Sequence, residues 1–516
     1  MDIYIDGTAG SPMYKFNGKV DDPGPTINRL KKDFPGYFPF FSLKEDEKNH
    51  ALVIGPGGGR DILLALMGGV QKITAVEVDR DLVDMVRSYA WYNGGVYNHF
   101  KNVSIVVDEG RNFLKRQKET YDLILLSLPV TNTSRSLEGY ALTENFLFTT
   151  DSIDDYLGHL TEEGRLIVVG HNDAEILRLL SISLVALNER GIPQVEAMKR
   201  IYILGSDDYP VFVMKKAPFE QKEMVELLHS MIQRGVEKGS SYFPYIRQEE
   251  GLTPALVALG HGVLGLHDLI RMVKERGFDI TPVTDDRPFF YKIEKGIPKA
   301  IWLVFWPSAA ICLLTLFFPF VKKDKPKAAE TPDLIKLVVL FFLIGIGFML
   351  IEISFIQRFG LFLGQPVLSL SVLLFSLLTG AGLGSLWSGR VAPEKIKKSL
   401  SRTSFLIGSF VIIYTFLLSA LFDRLLGMNL SVRILASILV LIPLGFWMGF
   451  PFPLGIRLLK ERGLEKQIPW MWGVNGVSSV LGSVLTIVVA IGFGFTGALL
   501  LSACCYFIIF IIFLKS

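Results

Sequence analysis

The chain is 516 residues long and 50% hydrophobic, which is more than one compact domain accommodates. Up to Lys299 it carries 35 basic and 42 acidic residues, whereas the remainder carries 18 and 8 and holds six of the seven tryptophans. The acidity of the first part argues against nucleic-acid binding. The three cysteines lie in apolar segments and the seven histidines lack metal-ligand spacing, so neither a disulfide framework nor a metal site is expected.

The change in composition predicts three regions. Residues 1–45 form a lead-in with a β-hairpin, residues 46–295 a Rossmann-like nucleotide-binding domain, and residues 296–516 a transmembrane helical domain of about six to seven spans. The predicted fold class is therefore an α/β Rossmann-like soluble domain followed by an all-α, multi-span membrane domain.

A glycine-rich turn follows the first apolar strand of the soluble region. The strand is Ala51–Ile54, and a helix is expected from about Asp61. Glycines allow a tight turn here and let a ligand approach the backbone at the helix N-terminus. The candidate binding residues in this turn are Gly55, Gly57, Gly58 and Gly59.

The next two predicted strands end in carboxylates. The segment KITAVEVD carries Glu77 near its end, where a carboxylate can accept both ribose hydroxyls of an adenosine ligand. The segment VSIVVDEG ends in Asp108 and Glu109, and an acid there can reach an adenine amino group. With a fourth strand, YDLILLSLP, this order indicates a doubly wound sheet.

Two classes of ligand use such a site, NAD and S-adenosylmethionine. The loop fits GxGxG better than GxGxxG, because the third glycine of the latter falls on Arg60. The acid after the third strand also favours S-adenosylmethionine. The alternative for Asp108 and Glu109 is simple helix capping, which is common for acids in that position.

Seven apolar segments after Lys299 are long enough to cross a bilayer, whose core needs about 20 residues per helix. Small residues recur four apart, as in Gly380/Gly384 and Gly445/Gly449, which permits close helix packing. The predicted segments are Ala300–Val321, Leu337–Phe355, Val367–Leu386, Phe405–Phe422, Ile434–Leu454, Gly473–Phe493 and Ala498–Leu514.

The orientation of these segments presents a conflict. Basic clusters lie at 322–327, 390–402 and 457–466, and seven spans place all three on one side. The positive-inside rule makes that side cytoplasmic and puts the soluble domain outside. Yet residues 1–30 do not resemble an export signal, and the expected ligand is an intracellular metabolite. We therefore expect an integral protein of the plasma or inner membrane with a cytoplasmic soluble domain, which requires an incomplete first span or a miscounted late hairpin.

Several segments resemble the spermidine/spermine synthase (polyamine aminopropyltransferase) family, and more closely its membrane-embedded relatives. The resemblance implies a soluble fold of the class I methyltransferase/spermidine synthase type and aminopropyl transfer from decarboxylated S-adenosylmethionine to a polyamine-type amine. The segments that carry it are YIDGTAGSPMY, VIGPGGGRD, AVEVDRDLVDMV, VVDEGRNFL, YDLILLSLP, ALTENFLFT, VTDDRPFFY, IEISFIQRFGLFLG and WGVNGVSSVLGSVL.

The nucleotide side of the family pattern carries over onto this sequence. By this resemblance, Glu77 is the ribose-binding acid and Glu109 the adenine-side acid. The family's glycine loop matches Gly55, Gly57 and Gly59, while the acidic residue of that loop falls on Gly58.

The amine side departs from the family pattern. The family's general base falls on Ser127, at the end of the fourth strand, and its substrate-side glutamine falls on Gly10. Serine is a poor base without a partner, so the amine site is either rebuilt or lost. Tyr140 and Glu144 are candidate substitutes, and their alternative interpretation is a loop tyrosine and a helix-start acid.

Three functions are compatible with this pattern. The first is aminopropyl transfer to a polyamine-type amine, and the second is methylation of a membrane-borne acceptor. The third is a catalytically inactive, nucleotide-sensing membrane protein or transporter regulator. The expected partners are the lipid bilayer, a small-molecule amine and further copies of the chain, but not nucleic acid.

Overall fold

The computed structural model divides the chain into two compact units, Met1–Gly296 and Ile297–Ser516. Each unit has its own hydrophobic core. The residues that the structure describes are 1–5, 9–128, 144–206, 208–233, 241–247, 253–321 and 331–514.

The first unit begins with a small hairpin and a short helical stretch. Strands β1 (Asp2–Ile5) and β2 (Ala9–Pro12) pair antiparallel. Helix α1 (Pro25–Asp33) starts with a proline, whose fixed φ suits a first helical turn. Two 3₁₀ segments, Pro35–Ser42 and Glu45–Glu47, lead into the main sheet.

Seven strands form the central sheet in the order β5-β4-β3-β6-β7-β9-β8. The pairs from β5 to β7 are parallel, and β9 runs antiparallel to both β7 and β8. The strands are β3 (His50–Ile54), β4 (Lys72–Glu77), β5 (Val103–Val107), β6 (Tyr121–Ser127), β7 (Leu160–Val169), β8 (Ile201–Leu204) and β9 (Val211–Lys215).

Both faces of this sheet are buried. Successive residues of a strand point to opposite faces, so Leu52 and Ile54 of β3 enter one core while Ala51 and Val53 enter the other. Such continuous apolar strands are typical of a parallel sheet covered by helices on both sides. The predicted α/β Rossmann-like class is confirmed.

Helices connect and cover the strands of the first unit. Asp79 caps α3 by accepting hydrogen bonds from two backbone N–H groups of its first turn. The helices are α2 (Arg60–Met67), α3 (Arg80–Ser88), α4 (Ala90–Asn93), α5 (Gly110–Lys115), α6 (Thr150–His159), α7 (Asp173–Glu189), α8 (Gln194–Met198), α9 (Gln221–Gln233), α10 (Thr253–Gly260) and α11 (Leu266–Glu275).

The second unit is all-helical in the part that the structure describes, and six of its helical stretches there are long and apolar enough to cross a membrane. The predicted all-α class of this region is confirmed. Its helices are α12 (Lys299–Val321), α13 (Thr331–Leu363), α14 (Pro366–Ser388), α15 (Ile396–Leu425), α16 (Leu430–Met448), α17 (Pro451–Glu461) and α18 (Ile468–Leu514).

Helix α18 contains a break that accounts for the difference between seven predicted segments and six observed stretches. Gly494 has φ 74° and ψ 173°, a conformation essentially restricted to glycine. The predicted segments Gly473–Phe493 and Ala498–Leu514 lie on either side of this residue. Counted at the break, α18 supplies two segments rather than one.

The predicted glycine contacts are present between α14 and α16. A side chain at Gly380 or Gly384 would collide with the backbone of α16. A side chain at Gly445 would collide with the backbone of α14 at Leu377. The small residues therefore let the two helix backbones approach closely, as their spacing predicts.

Candidate functional site

The candidate site lies at the carboxyl edge of the parallel strands. Val53 of β3 pairs with Leu125 of β6, so Gly55 and Ser127 follow at the same level. Glu77 pairs with Val107 at the ends of β4 and β5. Ligands of doubly wound sheets bind outside this edge, where the first helix begins. The topology thus brings together the loop and acids that were separate in the sequence.

The glycine loop has a backbone that side chains would disrupt. Gly55, Gly57 and Gly59 have φ of 70°, 52° and 94°, in the left-handed region that favours glycine. This conformation turns the chain sharply from β3 into α2. Because α2 is preceded directly by the loop, its free N–H groups face the same edge as the strand ends.

The N-terminal hairpin covers this loop, a contact that the sequence did not reveal. The backbone N–H of Gly58 donates to Ser11 Oγ at 2.8 Å, and a Cβ at Gly58 would collide with the carbonyl of Pro12. From the other side, Tyr97 Oη donates to the Gly57 carbonyl at 2.6 Å. The hairpin thus leaves no room for a side chain at Gly58.

Glu77 is held against the glycine loop. Its carboxylate accepts the backbone N–H of Gly57 and of Asp79, both at 3.2 Å, and the residue is 6% exposed. Burial raises the pKa of Glu77, while these backbone hydrogen bonds lower it. These contacts fix the Glu77 carboxylate at the loop, and its contact with the ribose of a ligand stays a prediction.

Asp108 and Glu109 both have structural partners. Glu109 caps α5, accepting the backbone N–H of Arg111 at 3.1 Å and of Asn112 at 2.7 Å. Asp108 accepts the backbone N–H of Glu109 and forms an ion pair with Arg116. Capping accounts for Glu109 without a ligand, so its contact with adenine stays a prediction.

A buried carboxylate that the sequence reasoning missed lies beside Ser127. Ser127 ends β6 and is 6% exposed, while Asp61 in the first turn of α2 is 2% exposed. Burial raises the pKa of Asp61, and the Arg60 guanidinium and hydrogen bonds from Ser127 lower it. The only signal in the sequence was an acid at the start of the helix, which capping preferences explain equally well.

The structure says less about the two other catalytic candidates, Tyr140 and Glu144. Tyr140 lies outside the described residues. Glu144 is partly buried, and this burial raises the pKa of its carboxyl. Its role as a substitute base stays a prediction.

Arg60 lies in an aromatic setting next to Asp61. Its guanidinium stands 4.4 Å from the centre of the Phe34 ring, and Phe34 contacts Tyr209 at 5.7 Å between ring centres. Tyr14, just after the hairpin, also interacts with Arg60. Segments distant in sequence therefore surround the first turn of α2 with aromatic rings.

A small pocket adjoins the ends of β6 and β7. Its lining includes Leu128, Phe148 and Tyr291, with His171 and Glu175 as polar members. His171 Nδ1 lies 3.1 Å from Glu175 Oε2. Within the described residues, no group of three or more His, Cys, Asp or Glu side chains is arranged to hold a metal ion.

Comparison with known proteins shows what the predicted nucleotide-binding region is similar to. Residues 37–189 match the spermine/spermidine synthase domain. The polyamine aminopropyltransferase of Buchnera aphidicola (strain Tuc7) is 29% identical over 130 residues, which are 25% of this chain and 41% of that protein. The enzyme of the same name from Saccharolobus solfataricus is 27% identical over 131 residues, or 24% of this chain and 40% of that protein.

Solved structures with detectable similarity include spermidine synthases. The spermidine synthase of Thermotoga maritima is 14% identical, covers 51% of this chain and 80% of its own, and has a TM-score of 0.30. A probable spermidine synthase from Corynebacterium glutamicum is 11% identical, covers 47% and 88%, and also has a TM-score of 0.30.

The matched region contains the glycine loop, Glu77, Asp61 and Ser127. The chain spans about 41% of the length of the first curated relatives it matches. The resemblance inferred from the motifs is confirmed for this region: residues 37–189 are similar to the spermine/spermidine synthase domain.

Proposed function

We propose that this protein is a membrane-bound transferase that moves an aminopropyl group from decarboxylated S-adenosylmethionine to a polyamine-type amine. The observation that carries the proposal is the position of Glu77, held to the glycine loop at the carboxyl edge of a spermidine synthase-type domain. The relatives that share this domain are polyamine aminopropyltransferases.

Aminopropyl transfer depends mainly on how the enzyme positions the amine relative to the sulfonium donor. The amine attacks the carbon next to the sulfonium, and the sulfur leaves as a neutral thioether, methylthioadenosine. The glycine loop would hold the nucleoside end and Glu77 the ribose, so that the reacting carbon faces Ser127 at the end of β6. Holding two reactants in attack geometry can contribute about 7–11 kcal/mol to lowering the barrier.

One assay separates this function from its rivals. The full chain, purified in detergent, is incubated with S-adenosylmethionine or its decarboxylated form and a panel of amines. Methylthioadenosine together with a lengthened amine supports the proposal. Adenosylhomocysteine would instead indicate methyl transfer, and tight nucleotide binding without either product would indicate a sensor. The last two outcomes contradict the proposal.

Substitution of Glu77 tests the nucleotide site directly. Glu77→Ala removes the carboxylate that would pair with the ribose hydroxyls, and a hydrogen bond to a charged group is worth about 1.5–3 kcal/mol. We expect nucleotide affinity, measured by calorimetry, to fall about 10- to 150-fold. Glu119→Gln is the matched control, because Glu119 is exposed and pairs with Lys72 at the opposite edge of the sheet. Unchanged affinity in Glu77→Ala contradicts the ribose assignment.

The membrane arrangement is the second part of the proposal. We propose that the second unit is embedded in the bilayer and that the first unit is cytoplasmic, where the donor nucleotide is made. This requires that α12 does not complete a crossing, because the basic cluster at 390–402 otherwise lies on the opposite side from the first unit. Apolar side chains of α12 such as Leu303 and Leu314 are exposed, as lipid contact requires.

Cysteine labelling in intact cells tests this arrangement. Lys222 in α9 and Lys395, just before α15, are both exposed. We expect Lys222→Cys and Lys395→Cys to react with a membrane-permeant maleimide and not with an impermeant one. The wild-type protein controls for its own cysteines. Reaction of Lys222→Cys alone with the impermeant reagent would place the first unit outside and contradict the proposal.

A further inference from the structure

Asp61 occupies an unusual position for an acidic residue. It belongs to the first turn of α2, yet it is 2% exposed and meets Ser127, the last residue of β6. The hydroxyl and the backbone N–H of Ser127 lie close enough to this carboxylate for both to lower its pKa. Helix α2, which follows the glycine loop, therefore places the Asp61 carboxylate beside Ser127, the serine that ends β6.

One oxygen of the Asp61 carboxylate has no hydrogen bond to its surroundings in the part of the chain that the structure describes. Among the described residues, Asp61 Oδ1 and the neighbouring Arg60 Nε are both buried without a hydrogen-bond partner. The two side chains approach only to 3.6 Å. A buried acid with an unused oxygen is costly, because burial disfavours the charged form unless the group is fully paired. A favourable position at the start of α2 accounts for an acid in this turn, but it leaves one oxygen of the Asp61 carboxylate without a hydrogen bond from any described residue.

The charged and titratable groups around Asp61 come from several elements. Arg60 is its neighbour on α2, and Ser127 faces it from β6. Tyr14 follows β2, and Tyr97 reaches the glycine loop. Burial raises the pKa of both tyrosines, and the charge of Asp61 contributes to this increase. Arg60 is the one cation among these four groups, and it stabilises the ionised form.

We propose that Asp61 is the proton acceptor of the transfer reaction, acting through Ser127 and taking the place of the strand-end carboxylate. This inference rests on the proposed function, since it assigns the missing base of that same site. It makes Ser127 the residue that contacts the amine and Asp61 the positioning and accepting residue behind it. The amine site is then rebuilt rather than lost.

The step balances with the groups at hand. The neutral amine forms a bond to the carbon next to the sulfonium, and the carbon–sulfur bond breaks with its electron pair staying on sulfur. The resulting ammonium passes one proton to Ser127 Oγ while the Ser127 hydroxyl passes its own proton to the Asp61 carboxylate. The products are the lengthened amine, methylthioadenosine and a protonated Asp61, which returns its proton to solvent.

The burial of Asp61 suits this role. Burial raises the pKa of its carboxyl, so Asp61 accepts a proton more readily than an exposed aspartate does. A general base works best when its pKa approaches the operating pH, and a positioned base contributes about 10²- to 10⁴-fold in rate. Serine alone supplies no such base at neutral pH.

Three variants of the full-length protein in detergent test the proposal, with decarboxylated S-adenosylmethionine and the amine that the wild type lengthens. We expect Asp61→Asn and Ser127→Ala each to lower kcat about 10²- to 10⁴-fold at neutral pH while nucleotide affinity changes less than about threefold. The double variant Asp61→Asn/Ser127→Asp puts the carboxylate on the strand end, and we expect it to recover at least about tenfold of the loss.

The pH profile and a control variant separate chemistry from stability. We expect the wild-type kcat to fall as pH drops and Asp61 becomes protonated, and we expect this acidic limb to be absent in Asp61→Asn. Asp122→Asn is the matched control, because Asp122 is buried at the other end of β6 and accepts the backbone N–H groups of Asn49 and His50. We expect it to lose stability and to keep kcat per folded molecule.

The outcomes distinguish this inference from the function on which it rests. A wild type that forms no methylthioadenosine with any amine overturns the proposed function, and this proposal with it. An active wild type with an equally active Asp61→Asn variant overturns the role of Asp61 alone. Loss of activity in Asp61→Asn together with lost nucleotide affinity makes the residue structural and equally rejects the proposal.

Discussion

Two buried acidic sites of the first unit differ in how their charges are paired. In the first, Arg165 of β7 is buried between Glu47 and Glu223, with Nη2 at 2.7 Å from an oxygen of each, and Lys215 lies nearby. In the second, Asp61 has Ser127 and the imperfectly placed Arg60. Arg165 pairs with Leu123 in the first half of β6, whereas Ser127 is the last residue of β6, so the two sites lie toward opposite edges of one sheet.

The pKa values of the two sites move in opposite directions. Burial raises the pKa of Glu47, but Arg165 and the hydrogen bonds outweigh it, so the net pKa is lowered. For Asp61 burial prevails and the net pKa is raised. At the first site both carboxylates are closely paired with Arg165 Nη2, although Arg165 Nε is itself buried without a hydrogen-bond partner among the described residues. At the second site the carboxylate itself has an oxygen without a hydrogen bond within the same described ranges, which leaves Asp61 able to accept a proton. Pairing, more than burial, therefore separates structure from chemistry here.

The largest effect is expected from a substitution that disrupts the Arg165–Glu47–Glu223 site. Arg165→Met leaves Glu47 and Glu223 buried, with Lys215 as the remaining cation beside them among the described residues. Removal of one partner of a buried pair costs about 3–5 kcal/mol. We expect thermal unfolding to show a loss of stability of this size at neutral pH, with nucleotide affinity per folded molecule unchanged.

The same variant has a characteristic pH dependence. Because the pKa of Glu47 is lowered on folding, its contribution to stability is present above its unfolded pKa and disappears as pH falls through the folded value. The difference between wild type and Arg165→Met therefore shrinks under acid conditions. A difference that stays constant from neutral to acid pH argues against pairing as its origin.

The sequence predicted the glycine loop and the strand-end acids better than the contacts that surround them, for a physical reason. Glycine loops and strand-end acids act through local geometry, so Gly55, Gly57 and Glu77 could be identified from their spacing. The contact between Ser11 and Gly58 joins residues 47 positions apart, and Asp61 reaches Ser127 across two elements. No local pattern encodes such contacts, because they depend on how helices and strands pack.

The helical unit shows a similar division. Hydrophobic length predicted where the apolar segments lie, and small-residue spacing predicted the contact between α14 and α16. The break in α18 at Gly494 was not predicted as such, because a single glycine within an apolar run does not reveal its φ. Helix ends were also misjudged, since α13 runs from Thr331 to Leu363 and extends beyond the predicted segment at both ends.

The smallest expected effect has the opposite sign and concerns the incompletely paired site. Because the pKa of Asp61 is raised on folding, its penalty is absent below the unfolded pKa and grows as pH rises through the folded value. Asparagine has nearly the same shape without the charge, so we expect Asp61→Asn to gain about 0.5–2 kcal/mol at about pH 8 and nothing in acid. Thermal unfolding at both pH values measures this gain. If Asp61→Asn is instead destabilised at pH 8 as strongly as Asp122→Asn, the Asp61 carboxylate contributes to folding, and the contrast between the two acidic sites disappears.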